Sequence, residues 1–316
     1  MRHPISRREF GTQLGATLLL GSGFANAAMK TAARPSAAEV VERIRKKLAQ
    51  EGIAWSGGGV DTFKIGDSGA PVTGIVSTFQ VTFDVLQRAA AAKKNFIISH
   101  ERLFWDFIDE VGTLKQDAPY EVAGSLERDP VFVAKRRFCE DHGLVVWRFH
   151  DHWHRHQPDP IFAGLAKKLE WEKYFAPDGP TSYDIAYRLP NISLRNLAKH
   201  IQEKLGSRDV RVIGDPAILV SHVGVTAHNL REMHPVLLRT DVVVVGETEE
   251  FDVFQYVRDA ISLGMPRPKG LIIISHERFE EAGMELLPAW LAPLVPEVPV
   301  EFMSAENPYW VLPEFR

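Results

Sequence analysis

Short apolar runs bounded by polar or turn-forming residues punctuate the chain. Thr73–Phe79, Phe96–Ser99, Leu144–Phe149, Val210–Ile213, Leu219–Ala227, Asp241–Gly246, Leu271–Ser275 and Val298–Met303 read as strands. Several are apolar throughout rather than alternating, which suits strands buried on both faces of a parallel sheet. The segments between them carry helical spacing. Ser36-Ala37-Ala38-Glu39 is a capping box, followed by Val40, Val41, Ile44 and Leu48 on one face and Gly52 as terminator. Thr82–Lys94, Pro130–His142 (closed by Gly143) and Phe251–Leu263 read as helices. Ser193 caps another, with Leu194, Leu197, Ile201 and Leu205 on one face and Gly206 at its end. A last long helix is expected from Glu281 to Leu291. Thr73–Ser99 forms a β-α-β unit, which should be right-handed with parallel strands.

The pattern predicts an α/β protein. Residues 158–190 read as a connecting segment, with an amphipathic piece at Ile161–Tyr174 and a turn at Pro177–Pro180. The expected lobes are residues 36–190, connecting segment included, and 191–316. Residues 1–28 stand apart. Ser6-Arg7-Arg8-Glu9-Phe10 matches a twin-arginine pattern, Leu14–Phe24 is weakly apolar, and Ala25-Asn26-Ala27 is an Ala-x-Ala cleavage site. The expectation is a signal peptide, twin-arginine export, a periplasmic location, and no membrane anchor after cleavage. The twin-arginine route carries proteins already folded, which suits one loaded with metal in the cytoplasm.

Composition narrows the function classes. The chain has 316 residues, is 45% hydrophobic and 25% charged, and carries a formal net charge of −4. No basic stripe stands out, so no nucleic-acid partner is expected. Cys139 is the only cysteine, which excludes an intrachain disulfide and a thiolate zinc finger. Its helical context reads as a buried structural thiol. The Ser56–Asp61 glycine loop follows no strand and is not a dinucleotide fingerprint.

Chemistry gathers at strand ends. Ile-Ile-Ser-His-Glu-Arg occurs twice, at 97–102 and 273–278, each time as an apolar run stopping at a polar Ser-His-Glu. The Leu144–Phe149 run leads into His150-Asp151-His152-Trp153-His154-Arg155-His156. Carboxyl ends of strands are where open α/β sheets bind ligands. Imidazole nitrogen and carboxylate oxygen are ligands for zinc, iron and manganese. The two copies are expected to face each other and hold metal between them. His276 and Glu280 share a face if the chain turns helical directly after the strand.

These segments resemble the Nif-three-like dinuclear metal centre family, also called the GTP cyclohydrolase type-two homologue family. The resemblance covers nearly everything after the leader. Lys64-Ile65-Gly66-Asp67 with Gly74-Ile75-Val76 looks like the family's opening, and His100-Glu101-Arg102-Leu103-Phe104-Trp105 sits where it has a His-His pair and an aromatic. His150-Asp151-His152-Trp153-His154 sits where it has His-x-x-x-Asp. Ser193–Leu205 with Val210–Gly214 resembles the start of its second half. Gly246-Glu247-Thr248-Glu249, His276-x-x-x-Glu280 with Gly283, and Asn307-Pro308 resemble its closing features.

The resemblance implies two similar interlocked α/β lobes with the metal site in the cleft between them, and commonly a toroidal hexamer. Residue by residue it implies the metal ligands His100, Glu101, His154, His276 and Glu280, holding two divalent ions per chain (zinc, manganese or iron). Glu101 stands where the family has histidine, and His154 where it has aspartate, which reads as an exchange that keeps ligand count and charge. The alternative is coordination by His152 or Asp151. His150 is a candidate for a hydrogen-bond donor behind the ligands or for a substrate contact, not for a ligand; Glu277 copies Glu101 by repeat, and Glu247 is the member of its acidic run worth testing.

Two functions follow. One is a metal-dependent hydrolase of an unassigned small molecule, nucleotides and phosphorylated compounds included, although the chain has no Gly-rich phosphate loop. The other is a non-catalytic metal-binding scaffold or metal-sensing ring protein. A roomy cleft beside the ligands would favour the enzyme, and ligation saturated by side chains the scaffold.

Overall fold

The computed structural model describes residues 33–57, 59–105, 128–176, 185–226 and 230–312. The expected signal peptide at residues 1–28 and the turn at Pro177–Pro180 lie outside the described residues. The fold is mixed α/β, built on two five-stranded sheets.

Helix α1 (Ala37–Gln50) opens on the expected capping box. The Glu39 N–H donates to Ser36 Oγ at 3.2 Å, and the Ser36 N–H donates to Glu39 Oε2 at 2.7 Å. Four strands and two helices of the first layer follow: β1 (Phe63–Ile65), β2 (Ile75–Thr78), α2 (Phe83–Ala91), β3 (Phe96–Ser99), α3 (Pro130–Asp141) and β4 (Val145–Arg148). Helix α4 (Pro160–Lys168) leads to β5 (Ile185–Ser193), α5 (Leu194–Leu205), β6 (Arg211–Gly214) and β7 (Leu219–Thr226). Next come α6 (Leu230–Leu237), β8 (Val242–Val245), α7 (Gln255–Ser262), β9 (Gly270–Ile273), α8 (His276–Met284), α9 (Leu287–Leu291) and β10 (Val300–Phe302). Among the described residues no helix is long and apolar enough to cross a membrane.

The first sheet runs β1-β4-β3-β2-β10 and the second β5-β7-β8-β9-β6. In the first, β4, β3, β2 and β10 are parallel and β1 is antiparallel to β4. In the second, β7, β8 and β9 are parallel, with β5 and β6 antiparallel at the edges. Strand β10, late in the chain, thus completes the sheet that opens it. Taken in chain order, β1, β2, β3 and β4 occupy the same relative places as β6, β7, β8 and β9.

That correspondence exposes a mismatch with the repeated hexapeptide. The copy at 97–102 ends β3, whose counterpart in the second sheet is β8. The copy at 273–278 ends β9, the counterpart of β4. Local structure differs as well. Ser275 Oγ accepts the Arg278 N–H at 3.3 Å and caps α8, so the chain turns helical at once. Ser99 Oγ instead donates to the Glu101 carbonyl, and residues 100–105 are not helical.

The parallel strands alternate even though they read as uniformly apolar. Ile75, Phe96, Ile98, Trp147, Val242, Val244 and Ile272 face one shared core. Val76, Ile97 and Val146 face a second, under α2 and α3, with the buried Cys139. Val243, Val245, Leu271 and Ile273 face a third, under α6 and α7. Burial pushes the Cys139 thiol up to about 12, as a structural thiol requires.

Two departures from the pattern reading matter. Ile185–Ser193, whose residues 185–190 were expected within the connecting segment, is a nine-residue strand. Its register shifts between Arg188 and Ile192, which accommodates Pro190, a residue without a ladder donor. The last helical region begins at His276, not Glu281, and breaks before α9.

The two layers are locked by a helix crossing. A Cβ on Gly164 of α4 would lie 2.4 Å from the Ala282 carbonyl carbon of α8, and one on Gly283 would lie 2.5 Å from Ile161 Cα. Only glycine permits backbones this close. Ser77 Oγ of β2 also donates to the Met284 carbonyl at 2.8 Å. These contacts set α8, and the side chains it carries, against the first sheet.

Candidate metal centre

His100 and Glu101 follow β3 directly, and His150 to His154 form a turn after β4. The first pair is held from below by Arg148, the last residue of β4. Its Nε donates to the His100 carbonyl at 3.0 Å and its Nη2 to Glu101 Oε2 at 3.1 Å. Lys135 of α3, also buried, donates to the carbonyls of Leu103 and Val81 and fixes the loop beyond.

The histidine turn is organised by Asp61. Its Oδ1 accepts the backbone N–H of His150 at 2.6 Å and of Asp151 at 3.0 Å. Its Oδ2 accepts the His152 N–H at 2.9 Å and pairs with His152 Nδ1 at 2.6 Å. Burial would raise the Asp61 carboxyl, but these donors outweigh it and hold the group low. His152 Nε2 accepts the Ser56 N–H at 3.1 Å, and its ring stacks on Trp55 at 3.8 Å. Both His152 nitrogens are therefore engaged with protein groups, and His152 is in neither group of converging donors described below.

Two other histidines of the turn are set up differently. His150 Nδ1 lies 2.9 Å from Asp151 Oδ1, and His154 Nδ1 lies 2.8 Å from Asp159 Oδ2. A carboxylate on Nδ1 fixes the tautomer that leaves Nε2 as the ligand atom. The His150 proton and charge hold Asp151 at about 2. Burial opposes protonation of His154, yet Asp159 and the nearby Glu280 raise it. Asp151 thus acts on His150, and Asp159 does the same for His154 while capping α4 through the Ile161 N–H at 2.9 Å.

From the opposite side, α8 presents His276 and Glu280 on one face. Glu280 Oε2 lies 3.1 Å from His276 Nε2 and 3.1 Å from His100 Nε2. The two imidazoles, from different sheets, therefore meet at a single carboxylate oxygen. Burial would raise Glu280, but His276 and His100 outweigh it and hold it well below the carboxylate range. His276 is held well above its ordinary value: burial opposes this, while Glu280 and then Glu247, 3.2 Å from its Nδ1, prevail. His100 goes the other way, pushed down to about 4 by complete burial and by His150 beside it.

The donor atoms fall into two groups, each within 4.8 Å of one another: His100, His150 and His154, and Glu101, His276 and Glu280. All five ligands implied by the family resemblance lie in these groups, joined by His150. Glu277 does not join them. It is buried against Glu281 and Arg278, and burial followed by Glu281 pushes its carboxyl up to about 8. The groups fit divalent cations on one further ground. Among the described residues, His100 Nδ1 is buried with no hydrogen-bond partner, an arrangement that costs stability unless something satisfies the ring. The centre opens into a cleft of ≈ 1290 Å³ lined by Glu101, Arg102, His150, His276, Tyr309 and Trp310, among others.

Asp61, Arg148 and Asp159 were not anticipated from sequence. A signal existed for Asp159: Asp before Pro160 is an N-cap with proline at the first helical position, five residues beyond His154. Asp61 and Arg148 act across long sequence separations and gave none.

Comparison with protein-family models finds no match, and no curated protein sequence matches. Solved structures do. A hypothetical protein of Staphylococcus aureus is 17% identical with a TM-score of 0.63, over 88% of this chain and 100% of that one. The protein ybgI, of unknown function, is 19% identical with a TM-score of 0.63, over 87% and 100%. A Bacillus cereus protein related to NIF3 is 13% identical with a TM-score of 0.62, over 89% and 100%. The chain thus has an α/β fold of the NIF3 kind, and it brings together a three-histidine group and a Glu-His-Glu group able to hold metal ions.

Proposed function

We propose that this chain is a dinuclear metal-binding protein that acts as a metal-dependent hydrolase on a small molecule. The observation that carries this reading is the meeting of His100 and His276 at one Glu280 oxygen, with His276 also lining an open cleft. His100, Glu101, His150, His154, His276 and Glu280 would hold the ions. Divalent cations there supply the Lewis acidity that hydrolysis of a polarised bond needs. The chain's own groups do the rest. Asp151 and Asp159 orient imidazoles, Arg148 holds the Glu101 carboxylate, and Glu247 accepts from His276.

The open cleft favours this over a scaffold or metal sensor, because three of the six donors also line space large enough for a ligand. The test is a screen of phosphoesters, nucleotides and cyclic amides with protein loaded separately with zinc, manganese and iron(II). Turnover lost on chelation and restored by one metal supports the enzyme. Tight metal binding with no turnover of any class supports the scaffold.

The same reading includes export by the twin-arginine route and a homo-oligomeric ring, with a hexamer as its expected form. A fusion of residues 1–35 to a reporter that stays cytoplasmic would remove the first. A monomer in light scattering of the full chain would remove the second.

A further inference from the structure

The six donors are not shared evenly. One group is three imidazoles, neutral as ligands, and the other is one imidazole with two carboxylates. Each group is also supported in its own way. His150 and His154 are braced on Nδ1 by Asp151 and Asp159, which strengthens Nε2 as a donor. Glu101 is braced by the guanidinium of Arg148, which fixes one carboxylate oxygen and leaves the other toward His150 at 3.8 Å. Glu280 Oε2 lies against both groups, 3.1 Å from His100 and from His276. Imidazole is a donor for zinc-like ions, whereas carboxylate oxygen suits harder ions such as manganese.

We propose that the centre has two unlike metal subsites: His100, His150 and His154 take a zinc-class ion, and Glu101, His276 and Glu280 take a harder, manganese-class ion. This rests on the dinuclear reading above and adds a preference to each half of it. Because zinc outcompetes manganese at most sites, the preference shows only when zinc is limiting.

The experiment uses full-length metal-stripped protein given one equivalent of zinc and an excess of manganese. Native mass spectrometry and elemental analysis then count the ions, and manganese electron paramagnetic resonance reads its site. The expected product is one zinc and one manganese per chain. His150→Ala should weaken zinc at the tighter step by at least about 10-fold with manganese retained, and Glu101→Gln should do the reverse. His150→Gln and Glu101→Asp repeat the comparison should either first variant fail to fold, as judged by circular dichroism of the metal-stripped protein. A statistical mixture of two-zinc and two-manganese chains overturns the proposal while leaving the dinuclear reading intact. So does an equal effect of the paired variants on both metals. A wild-type chain that binds neither metal overturns both.

Discussion

Replacing Gly164 by alanine puts one methyl group where α4 meets α8. That carbon would lie 2.4 Å from both the carbonyl carbon and the carbonyl oxygen of Ala282, and 2.5 Å from the Gly283 nitrogen. All three are backbone atoms, so no side chain can rotate away. Reaching ordinary contact at about 3.5 Å means parting the helices by roughly 1 Å. Overpacking of this kind costs about 2–3 kcal/mol, and the better helix propensity of alanine returns about 1 kcal/mol. The net loss is about 1–2 kcal/mol, or about 2–4 °C in Tm for a chain of this size. The consequence for the centre should be larger than for the fold. Glu280 sits one turn before Gly283 on α8, so a shift of roughly 1 Å exceeds the tolerance of about 0.5 Å for a preorganised site. Calorimetric titration with zinc should therefore show affinity down at least about 10-fold, alongside the modest Tm change of the metal-stripped protein. A variant as stable as wild type with unchanged zinc affinity would refute the claim that this crossing positions the ligands.

Three further outcomes are expected. Asp159→Asn keeps the cap on α4, since asparagine and aspartate cap alike, but removes the charged acceptor on His154. Metal affinity should fall about 10–100-fold with little change in metal-stripped stability, and an unchanged titration would count against the bracing role. Asp61→Ala strips the acceptor from three backbone N–H groups and the His152 ring, so it should destabilise by about 2–4 kcal/mol in urea denaturation; a loss under 1 kcal/mol would show that water replaces it. The metal-stripped protein should be most stable near pH 6.5. Below that, unfolded His100 takes up a proton that folded His100 refuses until about pH 4, a loss on the order of 3 kcal/mol. Above it, the raised His276 and His154 hold protons that the unfolded chain has released, so stability falls as pH rises. A flat profile from pH 4 to 9 would contradict these assignments.

Much of this architecture was legible in sequence because local and global signals agree. Strands β3, β4, β8 and β9 are apolar runs with sharp polar ends, and α1 and α5 carry both caps and one apolar face. Where the signals disagree, the reading failed. Pro190 and Asn191 interrupt β5 at its bulge, and Pro235 lies inside α6, an element the pattern did not show. Helix α8 buries Glu277, Glu280 and Glu281 along with Phe279, so its polar letters hid the helix start. The repeated hexapeptide pointed to strand ends that the fold brings together, but not through equivalent places in the two sheets. Its two copies lie on non-equivalent strands, and only one serine caps a helix. His100 and His276 stood out by their place after strands. The groups that hold the site in shape, Asp61, Arg148 and Asp159, did not, since a carboxylate or guanidinium acting across the fold leaves no local pattern.

His100, Glu101, His150 and His154 beside the first sheet and His276 and Glu280 on α8 are proposed to close together on metal. Elemental analysis of full-length protein purified without chelator, as wild type and as His276→Ala, tests this most directly. Close to two divalent metal ions per wild-type chain are expected, falling to one or none in the variant. A wild-type chain that takes up no transition metal under any loading condition would contradict it.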